Sequence, residues 1–331
     1  MKNSLIQNIP KAELHLHIEG SLEPALMMQL AKKHNVPLPY NSIEQIQAAY
    51  NFDNLQSFLD LYYLGAAVLQ DEDDFYQLMI AYFKKCQEDN IKHCEIMFDP
   101  QTHTHRNIPF KVFMNGFKKA MNEAQETMGI SSQLIMCFLR HLDEDDAIKT
   151  LEQAKPFLNM ISTVGLDSSE AGNPPEKFQT VFKQAKTLGL NCVAHAGEEG
   201  PAEYIWSALN DLNVQRIDHG VRCVEDEILV EHLINTQMPL TVCPLSNIKL
   251  CVFDNMQQHN IISLLNKGMC VTVNADDPSY FGGYLNDNFY ALDEALCLSD
   301  EQIKQLAINS FNASFLSDAD KSKWIRKIQQ F

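Results

Sequence analysis

Short apolar runs alternate along this chain with longer stretches of helical period. The strand-like runs are AELHLH (12–17), HCEIMF (93–98), QLIMCFL (133–139), TVGLDS (163–168), CVAHAG (192–197), RIDHG (216–220), LTVCPL (240–245) and CVTVNAD (270–276). Between them, PPEKFQTVFKQAKTLG (174–189) opens on Pro and ends on Gly, the usual punctuation of a helix. PAEYIWSALNDL (201–212) and EDEILVEHLINT (225–236) have the same period. Strands separated by helices throughout predict an α/β fold, a (β/α)8 TIM barrel. An open doubly wound sheet shares the alternation. The barrel is preferred because reactive residue types stand at the C-terminal ends of the first, fifth, sixth and eighth runs. A closed barrel gathers those ends around one mouth, whereas an open sheet spreads them out.

The crossover between the first and second strands, about residues 21–92, is far longer than a crossover requires. It holds the helix-like segments LEPALMMQLAKKH, LQSFLDLYYLGAAVL and DFYQLMIAYFKKCQE. The expectation is one barrel domain over 1–331 with a helical insertion at 21–92. That insertion would form either a lid over the mouth or extra packing on the barrel's side.

With 331 residues, 45% of them hydrophobic, the chain can bury a core of this size. Its net charge of −17 disfavours nucleic-acid and anionic-membrane partners and suits an enzyme acting on a small neutral molecule. Composition leaves a homo-oligomer open. There are nine cysteines, an odd number without a C-x-x-C pair, and several lie in apolar runs (Cys192, Cys243, Cys270). MKNSLIQNIP lacks a secretory apolar core, and no apolar run is long enough to span a bilayer. These features together predict the cytoplasm.

The chemistry lies at the strand ends. His15 and His17 are two residues apart on a strand, so both imidazoles project from one face, about 7 Å apart. The fifth run ends in HAGE with His195 and Glu198, the sixth in DHG with His219, and the eighth in NADDP with Asp276 and Asp277. His15, His17, His195 and Asp276 supply three neutral nitrogens and one oxygen, a donor set suited to one catalytic Zn2+ per chain. Iron or another divalent ion suits the same donors. Bound zinc lowers the pKa of a water to about 7. His219 is the candidate for taking or holding that proton, and Glu198 for acting on a substrate nitrogen. Each piece alone is ordinary: H-x-H is often a polar strand end, and Asp-Asp-Pro often a turn. Their order at four predicted strand ends makes the case.

The other histidines are expected to be structural or solvated. His34, His232 and His259 sit in helix-like or loop surroundings, and His93 and His141 flank strands. The second H-x-H, His103 and His105 in DPQTHTHR, reads as a polar loop, with a role near the mouth as the lesser alternative, and Gly282-Gly283 as a turn in preference to an anion nest. The fourth run, TVGLDSSEAG, has no lysine of the kind that bridges two metals in related hydrolase barrels, so one ion is expected. The chain also lacks the P-C-x-x-C of the unrelated cytidine-type zinc deaminases.

ELHLHIEG, VAHAGEEG, RIDHG and VTVNADDP, in this order over about residues 10–290, resemble the motifs of the adenosine/adenine deaminase family of amidohydrolase barrels. The resemblance implies a (β/α)8 barrel with one zinc held by His15, His17, His195 and Asp276. It implies that Glu198 protonates a purine ring at N1, that His219 orients or deprotonates the attacking water, and that Asp277 holds N7. Water then replaces the exocyclic amine at C6, and ammonia leaves.

Two departures bear on the substrate. Nucleoside-accepting relatives end the first motif in Asp-Gly, where the Asp helps hold ribose; here it is Glu19-Gly20. They also carry a D-L-A-G-D-E type of segment after the fourth strand, where this chain has Asp167-Ser168-Ser169-Glu170. VGLDSSEAGNPPEKF, CPLSNIKLC and LQSFLDLYY resemble the adenine deaminase branch. The expected reaction is therefore adenine to hypoxanthine, a purine-salvage step. Glu19, Ser168, Ser169 or Glu170 is expected to touch N9 or N3, because a site built around one hydrogen bond rejects an analogue lacking it. The rivals are an adenosine deaminase, a deaminase of N6-substituted adenines, another metal-dependent amidohydrolase, and a barrel retired to binding.

Overall fold

A computed structural model describes residues 3–52 and 55–331. Met1, Lys2, Asp53 and Asn54 lie outside the described residues, which takes two positions from the N-terminal stretch and two from the 21–92 insertion. The strands are β1 (Lys11–His17), β2 (Ile91–Phe98), β3 (Ser131–Leu139), β4 (Ile161–Asp167), β5 (Asn191–Ala196), β6 (Arg216–His219), β7 (Leu240–Val242) and β8 (Val271–Val273). They form one eight-stranded sheet in chain order, and every neighbouring pair is parallel. The ring closes at Leu16 and Asp276. There the His17 N–H donates to the Asp276 carbonyl at 2.9 Å, and the Asp276 N–H to the His15 carbonyl at 3.1 Å. This is the barrel that the alternation of runs predicts.

The last two strands are shorter than their apolar runs. β7 stops at Val242 because Pro244 lacks an N–H for the ladder and opens the helix Pro244–Lys249 instead. β8 stops at Val273, and Asp276 follows in the left-handed region at φ 63°. Strands covered on both faces read as continuous apolar runs, and β3 is buried from Leu134 to Leu139. Met97, Ile135, Cys137 and Val193 fill the barrel interior, with Phe315 packed against them. At the N-terminal end, Arg216 donates to Glu95 at 2.6 Å and to the Leu14 and Ala313 carbonyls.

The insertion divides into two parts. α1 (Ser4–Asn8) precedes β1; α2 (Pro24–His34), α3 (Ile43–Ala49), α4 (Leu55–Ala66) and α5 (Glu72–Glu88) follow it. α5 begins with a reciprocal cap between Asp71 and Asp74. Its Phe75 packs edge-on against Phe113 and Phe117 of the neighbouring helix Phe110–Glu123. Gly116 permits that approach, since a Cβ there would lie 2.5 Å from the Glu72 carbonyl oxygen. α5 is thus the crossover helix of the barrel's outer ring. α4 instead borders the cavity at the C-terminal mouth through Phe58, Tyr62 and Tyr63. Among the described residues, no helix is long and apolar enough to cross a membrane.

Candidate active site

The strand ends bring His15, His17, His195, His219 and Asp276 together, all of them buried. Asp276 Oδ1 lies 3.3 Å from His15 Nε2 and 3.6 Å from His17 Nε2. His17 Nε2 and His195 Nε2 are 3.2 Å apart. Ligand atoms of His15, His195, His219 and Asp276 all lie within 4.8 Å of one another.

The outer nitrogens explain how the rings are held. His15 Nδ1–H points at Thr241 Oγ1 (3.0 Å), whose own hydroxyl proton goes to Asp218 Oδ1 (2.7 Å). His195 Nδ1–H donates to the Leu166 carbonyl at 3.1 Å. His17 Nδ1 faces Asp167 Oδ2 at 3.5 Å. Each Nδ1 is turned to an acceptor, so the Nε2 lone pairs face inward, the arrangement by which neighbours orient metal-binding imidazoles. His15 Nε2 is buried without a hydrogen-bond partner. Two bare nitrogens 3.2 Å apart repel unless something positive lies between them. The donor set therefore fits a cation of the zinc class.

Glu198 Oε2 stands 3.5 Å from His219 Nε2, and its other oxygen, Oε1, has no partner. Burial, reinforced by the Asp276 carboxylate, holds Glu198 well above the ordinary carboxylate range, which favours its protonated form. Burial and Asp276 act the same way on Asp277, whose Oδ1 is also without a partner. Burial, with His15 beside it, pushes His219 down to about 3, so its ring is neutral in this environment. Three residues on this rim take left-handed backbone that side chains disfavour: Ser168 (φ 74°), His219 (φ 61°) and Asp276 (φ 63°). Strain of this kind gathers where geometry serves function.

The substrate-side expectations fare unevenly. Ser168 borders the cavity, with its Oγ near His141 Nδ1 (2.8 Å) and the Tyr63 hydroxyl (3.3 Å). Ser169 is half-buried, outside the cavity lining, where its carbonyl accepts from Asn173. Glu19 lies beneath the cavity: its Oε1 accepts from His103 Nε2 at 2.7 Å and from the Asp99 N–H at 3.3 Å. Glu170 turns away from the cavity and accepts four backbone N–H groups, from Gly197, Glu198, Glu199 and Gly200, at 2.7 to 3.1 Å. It clamps the loop that carries Glu198.

Several neighbours escaped the sequence reading. His103, expected in a polar loop, is fully buried on the short helix Pro100–Thr104 and faces Glu19. His259, expected to be solvated, is buried and completes a chain to the site. The Ile261 N–H donates to its Nδ1, its Nε2 faces Asn247 Oδ1 at 3.2 Å, and Asn247 Nδ2 faces His219 Nδ1 at 3.3 Å. In that chain the neutral His219 carries its proton on Nε2, toward Asp276 and Glu198. His34 is half-buried against Asp74. Asp99 had a usable signal: it directly follows β2 at its C-terminal end, the position that singled out the other site residues.

A family model described as adenosine deaminase matches residues 10–331. An adenine deaminase of Acinetobacter baylyi is 60% identical over 329 residues, covering 99% of both chains. One from Hahella chejuensis is 58% identical over 98% of both. The crystal structure of an adenine deaminase from Arthrobacter aurescens superposes with a TM-score of 0.96 at 46% identity, covering 97% of this chain and 98% of that one.

Proposed function

The chain belongs to the adenosine deaminase family, in its adenine deaminase branch, and on that premise we propose that it hydrolyses adenine to hypoxanthine and ammonia. The observation that carries this reading is the convergence of three inward Nε2 atoms and one Asp276 oxygen beside two carboxyls, Glu198 and Asp277, that each keep an oxygen without a partner and whose burial favours the protonated form. Both N1 and N7 of adenine are acceptors, so each suits a protonated carboxyl.

His15, His17, His195 and Asp276 are the residues assigned to one Zn2+ per chain. When bound, that cation supplies Lewis acidity and makes a water nucleophilic at neutral pH. The protein's own groups supply the rest. Glu198 gives its proton to N1, which draws electron density from C6. Asp277 donates to N7 and fixes the ring in its plane. The Nε2–H of His219 orients the incoming water toward C6. Water adds at C6 and the proton it releases restores the Glu198 carboxyl; the proton of the new C6 hydroxyl passes to the exocyclic nitrogen, which leaves as ammonia, and a carbonyl remains. α4 lies over the mouth as a cover for the bound base, within one barrel domain spanning 1–331. The acidic chain, with its unpaired thiols, works on this small molecule in the cytoplasm.

The test is ammonia release from adenine and adenosine, side by side, on protein of measured metal content. Adenine is the expected better substrate, with one metal ion per chain, and faster turnover of adenosine refutes the proposal. Glu198→Gln is expected to lower kcat by about 100-fold or more, with metal content retained.

A further inference from the structure

Among the described residues, four buried carboxyl oxygens without a hydrogen-bond partner belong to residues bordering the cavity beside the histidine cluster: Glu198 Oε1, Asp277 Oδ1, Asp167 Oδ1 and Asp99 Oδ1. A buried polar atom left without a partner is costly, so such atoms mark either strain or the place of a ligand. Glu198 and Asp277 have tasks in the reaction proposed above. Asp167 is turned through its other oxygen to His17, and a side-chain hydrogen bond joins its carboxyl to that of Asp99. Asp99 has no such task, yet it is held with care. The Tyr62 hydroxyl donates to its Oδ2 at 2.9 Å, and its backbone N–H is fixed by Glu19, itself fixed by His103.

The position of Asp99 around the cluster identifies the edge of the base that it faces. Glu198 stands beside His219. Asp277 groups with His17 and Asp276, and Asp99 with His17 and Asp167, whereas Glu198 belongs to neither group. With N1 at Glu198 and N7 at Asp277, the five-membered ring of adenine lies on the His17 side. Its remaining polar group there is N9–H, a donor in the free base and absent from any nucleoside. We propose that Asp99 Oδ1 accepts the N9–H hydrogen bond and thereby selects the free base over its 9-substituted forms. Tyr62, Glu19 and His103 are positioning residues for that carboxyl. The proposal rests on the adenine reading and deepens it. Glu19, expected from sequence to bear on the sugar-side edge, acts one contact removed, through Asp99.

The test compares adenine with 9-methyladenine, which keeps N1, N6 and N7 and carries a methyl group in place of the N9 proton. Ammonia release is measured on metal-analysed wild type, Asp99→Ala and Tyr62→Phe. The wild type is expected to prefer adenine by roughly 100-fold in kcat/KM, and Asp99→Ala to lose roughly 10- to 100-fold on adenine while losing little or nothing on 9-methyladenine. The preference then collapses. Tyr62→Phe, which keeps the carboxyl and frees it to turn, is expected to shift the preference the same way by a smaller factor, and it carries the test if the alanine variant does not fold. Equal losses on both substrates mean that Asp99 is merely structural and overturn the inference. Loss of a second metal ion from Asp99→Ala means that Asp99 and Asp167 hold a cation instead, and overturns it as well. A wild type that is inert toward adenine overturns the reaction itself, and this inference with it.

Discussion

Replacing Glu170 by Gln tests whether the loop bearing Glu198 is held by a single carboxylate. In the native site Oε1 accepts the Gly197 N–H at 2.7 Å, and Oε2 accepts those of Glu198, Glu199 and Gly200 at 3.1, 2.9 and 2.7 Å. Gln has one acceptor oxygen and one amino group. Its least costly orientation keeps the three-fold acceptor and sets NH2 against the Gly197 N–H, donor facing donor. One hydrogen bond to an ionised group, about 1.5–3 kcal/mol, is lost, and a buried donor is stranded for about 1–3 kcal/mol more. The remaining three bonds become neutral and weaken by roughly half. The first two terms alone give about 4 kcal/mol, and the weakened bonds add to it, so the expected destabilisation is at least about 4 kcal/mol, read as a lower midpoint in urea unfolding with an unchanged slope. The same loop carries Glu198, and a displacement of about 1 Å there costs roughly 100-fold in rate. The variant is therefore expected to lose kcat on adenine while keeping its metal. The clamp reasoning fails if Glu170→Gln unfolds at the wild-type urea concentration and turns over adenine at the wild-type rate.

Two further predictions concern Asp277 and the barrel floor. A Cβ on Gly20 would overlap Asp277 Oδ1, so Gly20→Ala must displace that carboxyl, with kcat/KM for adenine expected to fall roughly 100-fold at full metal content. At the floor, burial favours the neutral form of Glu95, but the Arg216 guanidinium, His93 and the Phe315 N–H overcome it and hold the carboxyl at about 2. A carboxyl depressed from 4.5 to about 2 on folding contributes about 3 kcal/mol, present in full above pH 4.5 and lost as pH falls toward 2. Unfolding free energies measured from pH 5 down to 2.5 are expected to fall less steeply for the double variant Glu95→Gln, Arg216→Met. An identical slope in the two proteins would sink the assignment.

The sequence by itself determined the barrel, its eight strands in order, and the groups at the ends of β1, β5, β6 and β8. Those features are local: an apolar run with punctuation makes a strand, a period of two puts His15 and His17 on one face, and a motif keeps its residue types in a row. Tertiary structure decided the rest, because the remaining contacts join residues far apart in the chain. Glu170 looked like a pocket residue in its own segment, but the donors it meets belong to another loop, 27 to 30 residues on. Glu19 and His103 are 84 positions apart and explain each other only when paired. His259 reads as a loop histidine until Asn247 links it to His219. A buried polar group must find its partner wherever the fold supplies one, and a linear pattern does not record which strand ends close on the same cavity.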